Sequence, residues 1–573
     1  MTPPLGLLGG VVASGLALSL CSRMEPLWLP VLGVALVPWL AALERLRTLG
    51  EAALAGLAMS IAFVVGVFWW FTFAIATYTD MPRAAACSLL AALAPLLEPQ
   101  FVVFALVRHR LRHGPRPYLA PLGAATAYLA SEWVLPKLFA DTLGHGVYPS
   151  RVLRQAADLA GASGLTLAVL LANEATLAAM RRLRDADGAG RPAARALVPA
   201  CAALLLVVLP AVYGGLRLHT LRHTGDEAEP VTLAVVQADI GQYTRLAADL
   251  GTYESTRRIV DAYFTLSREA LARMQPDVLV WPETVYPTTF GSPKSPDGAA
   301  FDREIAGFVA KEGVPLVFGA YDAEDGSEFN AAMMLEPEPE GGVSFDAYHK
   351  ATLFPLIEYV PAWLDWPWLR QVLPWLGSWT PGRGADVFVL RLPAGRRLRV
   401  APLICYDAIE PRLAREAVRR GAELILTLSN DSWFDDGAGP LLHLVLSAFR
   451  SIETRRAQVR ATNTGISAVI TATGDLVSTA GVHERTVLAA TVVPEPQAST
   501  LALVWGDWLG PTAAAAALVL LVLGRGGVRP GNRRGDARVA ICTLRSCATL
   551  RRWTTTAVAA AWHSAARVRG FTV

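Results

Sequence analysis

Leu403-Ile404-Cys405-Tyr406-Asp407 is the stretch from which this chain is best read. Residues 399–405 form a β-like run that ends on a cysteine, and residues 411–420 carry a helical pattern just beyond it. A strand, a tight turn and a helix would expose the sulfur and point backbone N–H groups at it. Cys405 is the only cysteine between Arg217 and Gly510, so a free thiol is expected there. Two further β-like runs end on reactive groups. Residues 277–281 lead into Pro282-Glu283, and Tyr348-His349-Lys350 closes a third segment. A thiol attacks a carbonyl only as the thiolate, so its pKa of about 8.5 must be lowered or a base supplied. Glu283 can be that general base. Lys350 offers a fixed positive charge for the oxyanion of a tetrahedral intermediate.

Each residue alone has a plainer reading. A cysteine after an apolar strand is more often a buried core thiol. Trp-Pro-Glu can be a turn, and a single lysine is usually a solvated surface charge. His349, His443 and His483 are scattered, and no His/Cys pair has ligand spacing, so no metal site is expected. Glycine-rich phosphate loops are absent.

The rest of the chain says where such a site would work. Of 573 residues, 53% are hydrophobic and 18% charged, with a mean hydropathy of +0.36. Soluble proteins carry nearer a quarter charged residues. A net charge of +3 implies no nucleic-acid partner. The apolar excess falls in runs at 5–21, 27–43, 53–77, 84–107, 117–136, 156–180 and 197–216, with an eighth at 504–524. About 20 apolar residues span a bilayer, so eight crossings are expected. The start lacks a basic segment, so no cleaved signal peptide is expected, and Cys21 reads as an ordinary helix residue. Basic residues collect in 44–52, 108–116, 181–196 and after 524, which places those segments in the cytoplasm and residues 217–510 outside it. Arg217 and Arg222 dissent, but long translocated domains largely ignore the charge rule. Glu98, Glu132 and Glu174 lie in or near the apolar runs, and interfacial positions near helix ends are the plainest reading of them.

From Val231 the pattern changes to short β-like runs, at 231–237, 277–281, 314–321, 399–405, 423–428, 467–471 and 486–493. Helical patterns cover 253–274, 411–420 and 441–458. Alternation of the two argues for a layered α/β domain. Residues 336–343 read as an exposed turn.

At these residues the sequence resembles the nitrilase (carbon–nitrogen hydrolase) superfamily, and its apolar half narrows the resemblance to the membrane-bound apolipoprotein N-acyltransferases. The motifs that carry it are Val280-Trp281-Pro282-Glu283-Thr284, the run from His349 to Pro361, Ile404-Cys405-Tyr406-Asp407, the run from Leu428 to Phe434, and Arg460-Ala461-Thr462-Asn463-Thr464-Gly465. The resemblance covers roughly residues 1–524. It implies an α/β plus membrane α-helical fold, an eight-helix transmembrane bundle carrying a nitrilase-like α-β-β-α sandwich. The implied division is helices 1–7 in 1–216, a periplasmic catalytic domain in 217–503, helix 8 in 504–524 and a basic, disordered cytoplasmic tail in 525–573. By resemblance Glu283 is the base, Lys350 the oxyanion stabiliser and Cys405 the nucleophile. Glu358 looks like an additional essential carboxylate, Tyr406 stands beside the nucleophile, and Trp433 and Phe434 look like lipid-contacting aromatics. Asn430 reads as a core hydrogen-bonding residue.

The implied chemistry is ping-pong acyl transfer in a bacterial inner membrane, the last step of lipoprotein maturation. Cys405 takes an acyl chain from a phospholipid, typically phosphatidylethanolamine, and passes it to the α-amine of a diacylglyceryl-cysteine at the start of an apolipoprotein. No metal or organic cofactor is required, and a monomer is expected. The sequence departs from the family's pattern at Asp407, where Glu is usual, at Arg245-Leu246, where Lys-Trp is usual, and at Asp435-Asp436, where Gly is usual. The segment 141–155 also lacks the Gly-Tyr-Ser-Gln-like loop of the family. Two rival readings remain open: a membrane-tethered amidase acting on a small amide with the same residues, and a non-catalytic relative that binds lipid.

Overall fold

The computed structural model describes residues 5–79, 81–189, 194–221, 229–241, 243–373, 375–393, 395–434, 437–494 and 499–525. The expected tail beyond Arg525 and the Asp435-Asp436 departure lie outside the described residues.

Among the described residues, thirteen strands build the second half of the chain. They are β1 (Val231–Gln237), β2 (Val278–Val280), β3 (Tyr286–Thr289), β4 (Leu316–Glu324), β5 (Ser327–Pro337), β6 (Val343–His349), β7 (Phe388–Arg391), β8 (Arg397–Ile404), β9 (Leu424–Ser429), β10 (Ala457–Thr462), β11 (Ser467–Ile470), β12 (Leu476–Ala480) and β13 (Thr486–Val492). One sheet runs β13-β1-β2-β4-β5-β6 with β3 on β4, and the other runs β12-β11-β10-β9-β8-β7. The centre of each is parallel: β1-β2-β4 in the first, β8-β9-β10 in the second. Parallel strands are covered on both faces and read as unbroken apolar runs. That is why 231–237 and 423–428 were legible.

The two sheets face one another through Val235, Val280, Val317, Val400, Leu426 and Val459. The helices Thr252–Met274 and Pro296–Glu312 cover the far side of the first sheet with Ile259, Phe264, Phe301 and Ile305. The helix Pro411–Arg419 packs on Leu403 and Ile425 of the second. Beside it, Ala438–Thr454 shares a core with the N-terminal helices through Leu442, Val445 and Phe449. The result is an α-β-β-α sandwich whose second outer layer is joined to the apolar half.

Two expectations for this half need correction. The helical pattern at 441–458 is a helix over Ala438–Thr454, and Ala457–Thr462 is a buried strand paired with β9 and β11. The sequence reading also missed the β4–β5 hairpin, whose signal was Asp325-Gly326. Both residues take positive φ (51° and 78°), as a two-residue hairpin turn of this kind demands.

Among the described residues of the first half, four helical stretches are long and apolar enough to cross a bilayer: Pro26–Leu43, Leu49–Val67, Leu153–Ala186 and Ala196–Leu221. The pair Arg83–Leu97 and Gln100–Arg112, bent by 49°, makes a fifth. Gly6–Cys21 and Leu509–Leu523 are shorter apolar helices. Runs expected to be single are interrupted. The 84–107 run bends where Pro95 lies inside the first helix and Pro99 precedes the second, since proline supplies no N–H and its ring clashes with the preceding turn. The 53–77 run stops at Val67 and restarts at Phe71. Along Ala194–Leu221, Leu204, Leu205, Leu209, Val212 and Leu216 are all exposed. Such an unpartnered apolar surface fits a lipid neighbour.

Glu174 does not sit at a helix end. It lies inside the helix Ala157–Ala189 and pairs across the bundle with Arg108 Nη2 at 2.9 Å. Glu98 and Glu132 both reach Lys137, at 3.3 and 3.4 Å.

Buried ion pairs join the two halves. Arg455 donates to Asp158 Oδ2 at 2.8 Å and to the Gln155 carbonyl at 3.2 Å, and Arg217 reaches the same carboxylate at 2.9 Å. Asp158→Ala would leave buried guanidinium charge unmatched, a loss worth about 3–5 kcal/mol. Thermal unfolding of the full chain in detergent should show a clear fall in Tm, and an unchanged Tm would contradict this account of the junction.

Candidate active site

The reactive side chains stand at one edge of the sandwich because their strands all end there. Glu283 follows β2, Lys350 follows β6, Cys405 follows β8 and Asn430 follows β9. This is the carboxyl end of the parallel strands, where open α/β sheets place their ligands.

Cys405 opens the turn after β8 with φ of 48°, a left-handed conformation that non-glycine residues seldom adopt. Asp407 anchors that turn. Its Oδ1 accepts the Thr352 N–H at 2.6 Å, and its Oδ2 accepts the Ile404 N–H at 3.2 Å and the Tyr348 hydroxyl at 3.1 Å. One carboxylate thus ties the cysteine turn to the strand and loop that carry Lys350. Burial nevertheless pushes its carboxyl up to about 6. The aspartate that departs from the family's usual glutamate is therefore fully occupied.

Lys350 is 2% exposed and sits between two carboxylates, with Nζ 3.1 Å from Glu283 Oε1 and 2.7 Å from Glu358 Oε1. The Asn330 amide donates to the same two oxygens, at 2.8 and 3.3 Å. The other oxygens are held by backbone: Asn430 N–H on Glu283 Oε2 at 2.7 Å, Phe354 N–H on Glu358 Oε2 at 2.6 Å. Burial alone would lower the lysine's pKa, but Glu283 and Glu358 outweigh it and hold the ammonium well above its ordinary value. Two carboxylates and one ammonium leave a surplus negative charge in a buried place. For Cys405 the balance runs the other way. Burial first, and then the charge of Glu283, push the thiol well up. The environment therefore favours the thiol over the thiolate.

Close approach of strands makes this possible. A Cβ on Gly319 would stand 2.4 Å from Glu283 Cα, so β4 can run beside the glutamate turn only with glycine there.

The structure brings the remaining expected residues to the same place. Trp433 and Phe434 line an apolar cavity with Trp70, Phe71, Phe139 and Phe354, and Cys405, Lys350 and Glu358 form part of its wall. Tyr406 is in that wall too, its hydroxyl donating to the Leu138 carbonyl. A polar cavity of about 470 Å³ opens on the other side of Glu283 and Glu358, past Tyr321 and Trp379. Asn430 Oδ1 accepts from Asn463 Nδ2 at 2.6 Å, which agrees with a hydrogen-bonding role.

Sequence reasoning missed Asn330 and a chain of groups behind the cysteine. His443 lies 3.3 Å from the Cys405 carbonyl through Nε2 and 3.2 Å from Asp431 Oδ1 through Nδ1. Arg460 Nη2 reaches Asp431 Oδ2 at 2.9 Å. Burial opposes ionisation of Asp431, but Arg460 and His443 hold its carboxyl well below the usual range. Arg460 and Asp431 do occur in the quoted motifs. Nothing in the sequence singled out Asn330 or gave His443 a role.

An α-β-β-α sandwich with a thiol, two carboxylates and an amine at its strand ends is the architecture of a carbon–nitrogen hydrolase. The Carbon-nitrogen hydrolase family matches residues 232–499, and the Apolipoprotein N-acyltransferase N-terminal domain matches residues 14–175. The apolipoprotein N-acyltransferase of Geobacter metallireducens is 29% identical over 81% of this chain and 85% of its own length. That of Bdellovibrio bacteriovorus is 28% identical over 87% and 90%. Among solved structures, a mutant amidase from Nesterenkonia sp. AN1 with an acetamide moiety on its active-site cysteine is 18% identical, covers 50% of this chain and 95% of its own, and has a TM-score of 0.34, too low to build on. The chain belongs to the apolipoprotein N-acyltransferase family, and it is an acyltransferase.

The state of the thiol is directly testable. Alkylation of Cys405 by a small thiol reagent should accelerate about tenfold per pH unit from 7 to 9 without levelling, because an ordinary thiol begins to level near 8.5 and this one is held higher. A plateau below pH 8 would show a thiolate already formed.

Proposed function

We propose that the protein N-acylates apolipoproteins at the outer face of a bacterial inner membrane, with Cys405, Glu283 and Lys350 as its catalytic residues. The observation that carries this reading is the apolar, aromatic-walled cavity that ends on Cys405 and Lys350 and is built partly by Trp70, Phe71 and Phe139 of the apolar half. An amidase of small water-soluble amides has no use for such a wall.

In the first half-reaction Glu283 takes the proton of Cys405, and the sulfur attacks an ester carbonyl of a phospholipid. The oxyanion is stabilised by the Lys350 ammonium, which Glu358 holds in place. Collapse breaks the C–O bond, Glu283 returns the proton to the leaving oxygen, and a lysophospholipid departs. In the second half, the free α-amine of a diacylglyceryl-cysteine attacks the thioester. Glu283 accepts a proton from nitrogen, the C–S bond breaks, and the thiol is regenerated. One hard transfer becomes two easier ones. Phosphatidylethanolamine is the donor proposed, and the enzyme acts as a monomer.

The reading extends to topology. Eight crossings, with helices 1–7 within residues 1–216 and an eighth in 504–524, leave residues 217–503 as a periplasmic domain. Short and broken helices at Gly6–Cys21, Ala120–Val134 and Leu509–Leu523 supply the crossings beyond the long ones. Both substrates have chains sunk in the bilayer, so a catalytic domain held at its surface meets them at high effective concentration.

Mixing the intact protein with phospholipid alone should add the mass of one fatty acyl group to Cys405. An amidase would release ammonia from amides instead, and a lipid-binding relative would do neither. Cys405→Ser and Glu283→Gln should each lower transfer on the order of 10³-fold or more. Lys350→Arg should also fail, because a planar guanidinium does not fit between two carboxylates spaced for an ammonium. Near-normal turnover by any of the three would remove the role assigned to it.

A further inference from the structure

A third and larger cavity, of about 930 Å³, lies on the far side of Tyr406 and Ile409 from the acyl cavity. Those two residues belong to both walls. The mechanism above makes no use of it. Its size is that of a ligand site rather than a packing defect.

Its lining is unlike the acyl cavity. Arg415, on the helix that follows the cysteine turn, is only 9% exposed and has no hydrogen bond or ion pair among the described residues, yet it faces this space. Arg450 is 1% exposed, and its Nε finds no acceptor although its other nitrogens bind the Ile409 carbonyl and Glu453. His145 Nδ1 accepts the Thr142 N–H at 3.0 Å, which puts the ring proton on Nε2, and that atom too is buried without a partner. On the acceptor side, Glu453 Oε2 receives no hydrogen bond. Four polar side chains, each about nine-tenths buried or more, therefore line one space with capacity unused. Buried polar groups are nearly always satisfied, so the space is built for a polar guest.

The mouth indicates where the guest comes from. Trp133 lines the cavity and is exposed, and exposed Trp505 flanks the Gly506-Asp507 stretch of the wall. Tryptophans of this kind mark the level of lipid head groups. Two unsatisfied guanidinium groups, with exposed Arg412 on the same wall, suit a phosphate. The nearby carboxylates of Asp141 and Glu132 are already paired with Lys137, at 3.2 and 3.4 Å, so they do not compete for those guanidinium groups.

We propose that this cavity holds the phosphate-bearing head group of the phospholipid acyl donor, with Arg415 as its principal anion contact, while the ester reaches Cys405 past Tyr406. The proposal rests on the acyltransferase reading, and its test separates the two. Thioester formation on Cys405 is followed by intact mass with two donors: phosphatidylethanolamine, and a p-nitrophenyl ester of the same fatty acid, which carries no phosphate. Arg415→Gln should lower the ratio of kcat/KM for phospholipid to that for the ester by roughly tenfold or more, mostly through KM, and Arg415→Lys should restore part of it. Retention of phosphatidylethanolamine by the full chain, read by native mass spectrometry, should fall by a similar factor in Arg415→Gln whether or not a thioester forms. An unchanged ratio with unchanged retention overturns the proposal. So does a defect confined to transfer onto the peptide amine, which would assign the cavity to the apolipoprotein. Competition by inorganic phosphate as strong as that by glycerophosphoethanolamine would reduce it to a general anion site and overturn it equally.

Discussion

A single buried ammonium shared by two carboxylates organises this protein. Lys350 stands 2.7 Å from Glu358 and 3.1 Å from Glu283, out of reach of bulk water. Buried charges are costly unless paired and hydrogen-bonded, and here nearly every lone pair of the two carboxylates is met. Asn330, Asn430 and Phe354 supply the remaining donors. The requirement to meet them fixes where β2, β6 and β9 must end and where β5 must begin.

A second constraint is mechanical. The cysteine turn holds a left-handed residue, and such strain persists only where the surroundings over-determine it. Asp407 does this from below, tying the turn to Ile404, Tyr348 and Thr352. From behind, His443 meets the Cys405 carbonyl and is itself held by Asp431 and Arg460. The aspartate at 407 has the right length for its three donors, so the departure from glutamate leaves the turn fully supported.

The membrane half is part of the same device. Trp70, Phe71 and Phe139 complete the apolar cavity beside Cys405, and Tyr406 bonds to Leu138 across the junction. Ion pairs centred on Asp158 keep the two halves in register. Cys405 thus borders an apolar cavity, and its neighbour Tyr406 separates that cavity from a charged one.

The sequence by itself determined the apolar half, the layered α/β half and the three strand-end reactive groups. These follow from local pattern: hydrophobic runs long enough to span lipid, unbroken apolar strands, and a lone thiol after one of them. It could not show that Glu283, Lys350 and Cys405 meet, because their strands lie in two different sheets and only packing of those sheets brings the ends together. It carried a helix on through Gln458, where the strand Ala457–Thr462 begins, because Gln458 and Arg460 are polar residues that only the packed sheet shows to be buried. It gave no sign that Asn330 completes the charge network or that His443 braces the cysteine, since single polar residues carry no periodicity. Nor could it show the charged cavity, which exists only where the helix Pro411–Arg419 faces the bundle. Tertiary structure decided these points, because burial, pairing and surplus charge are properties of what surrounds a residue rather than of its neighbours in the chain.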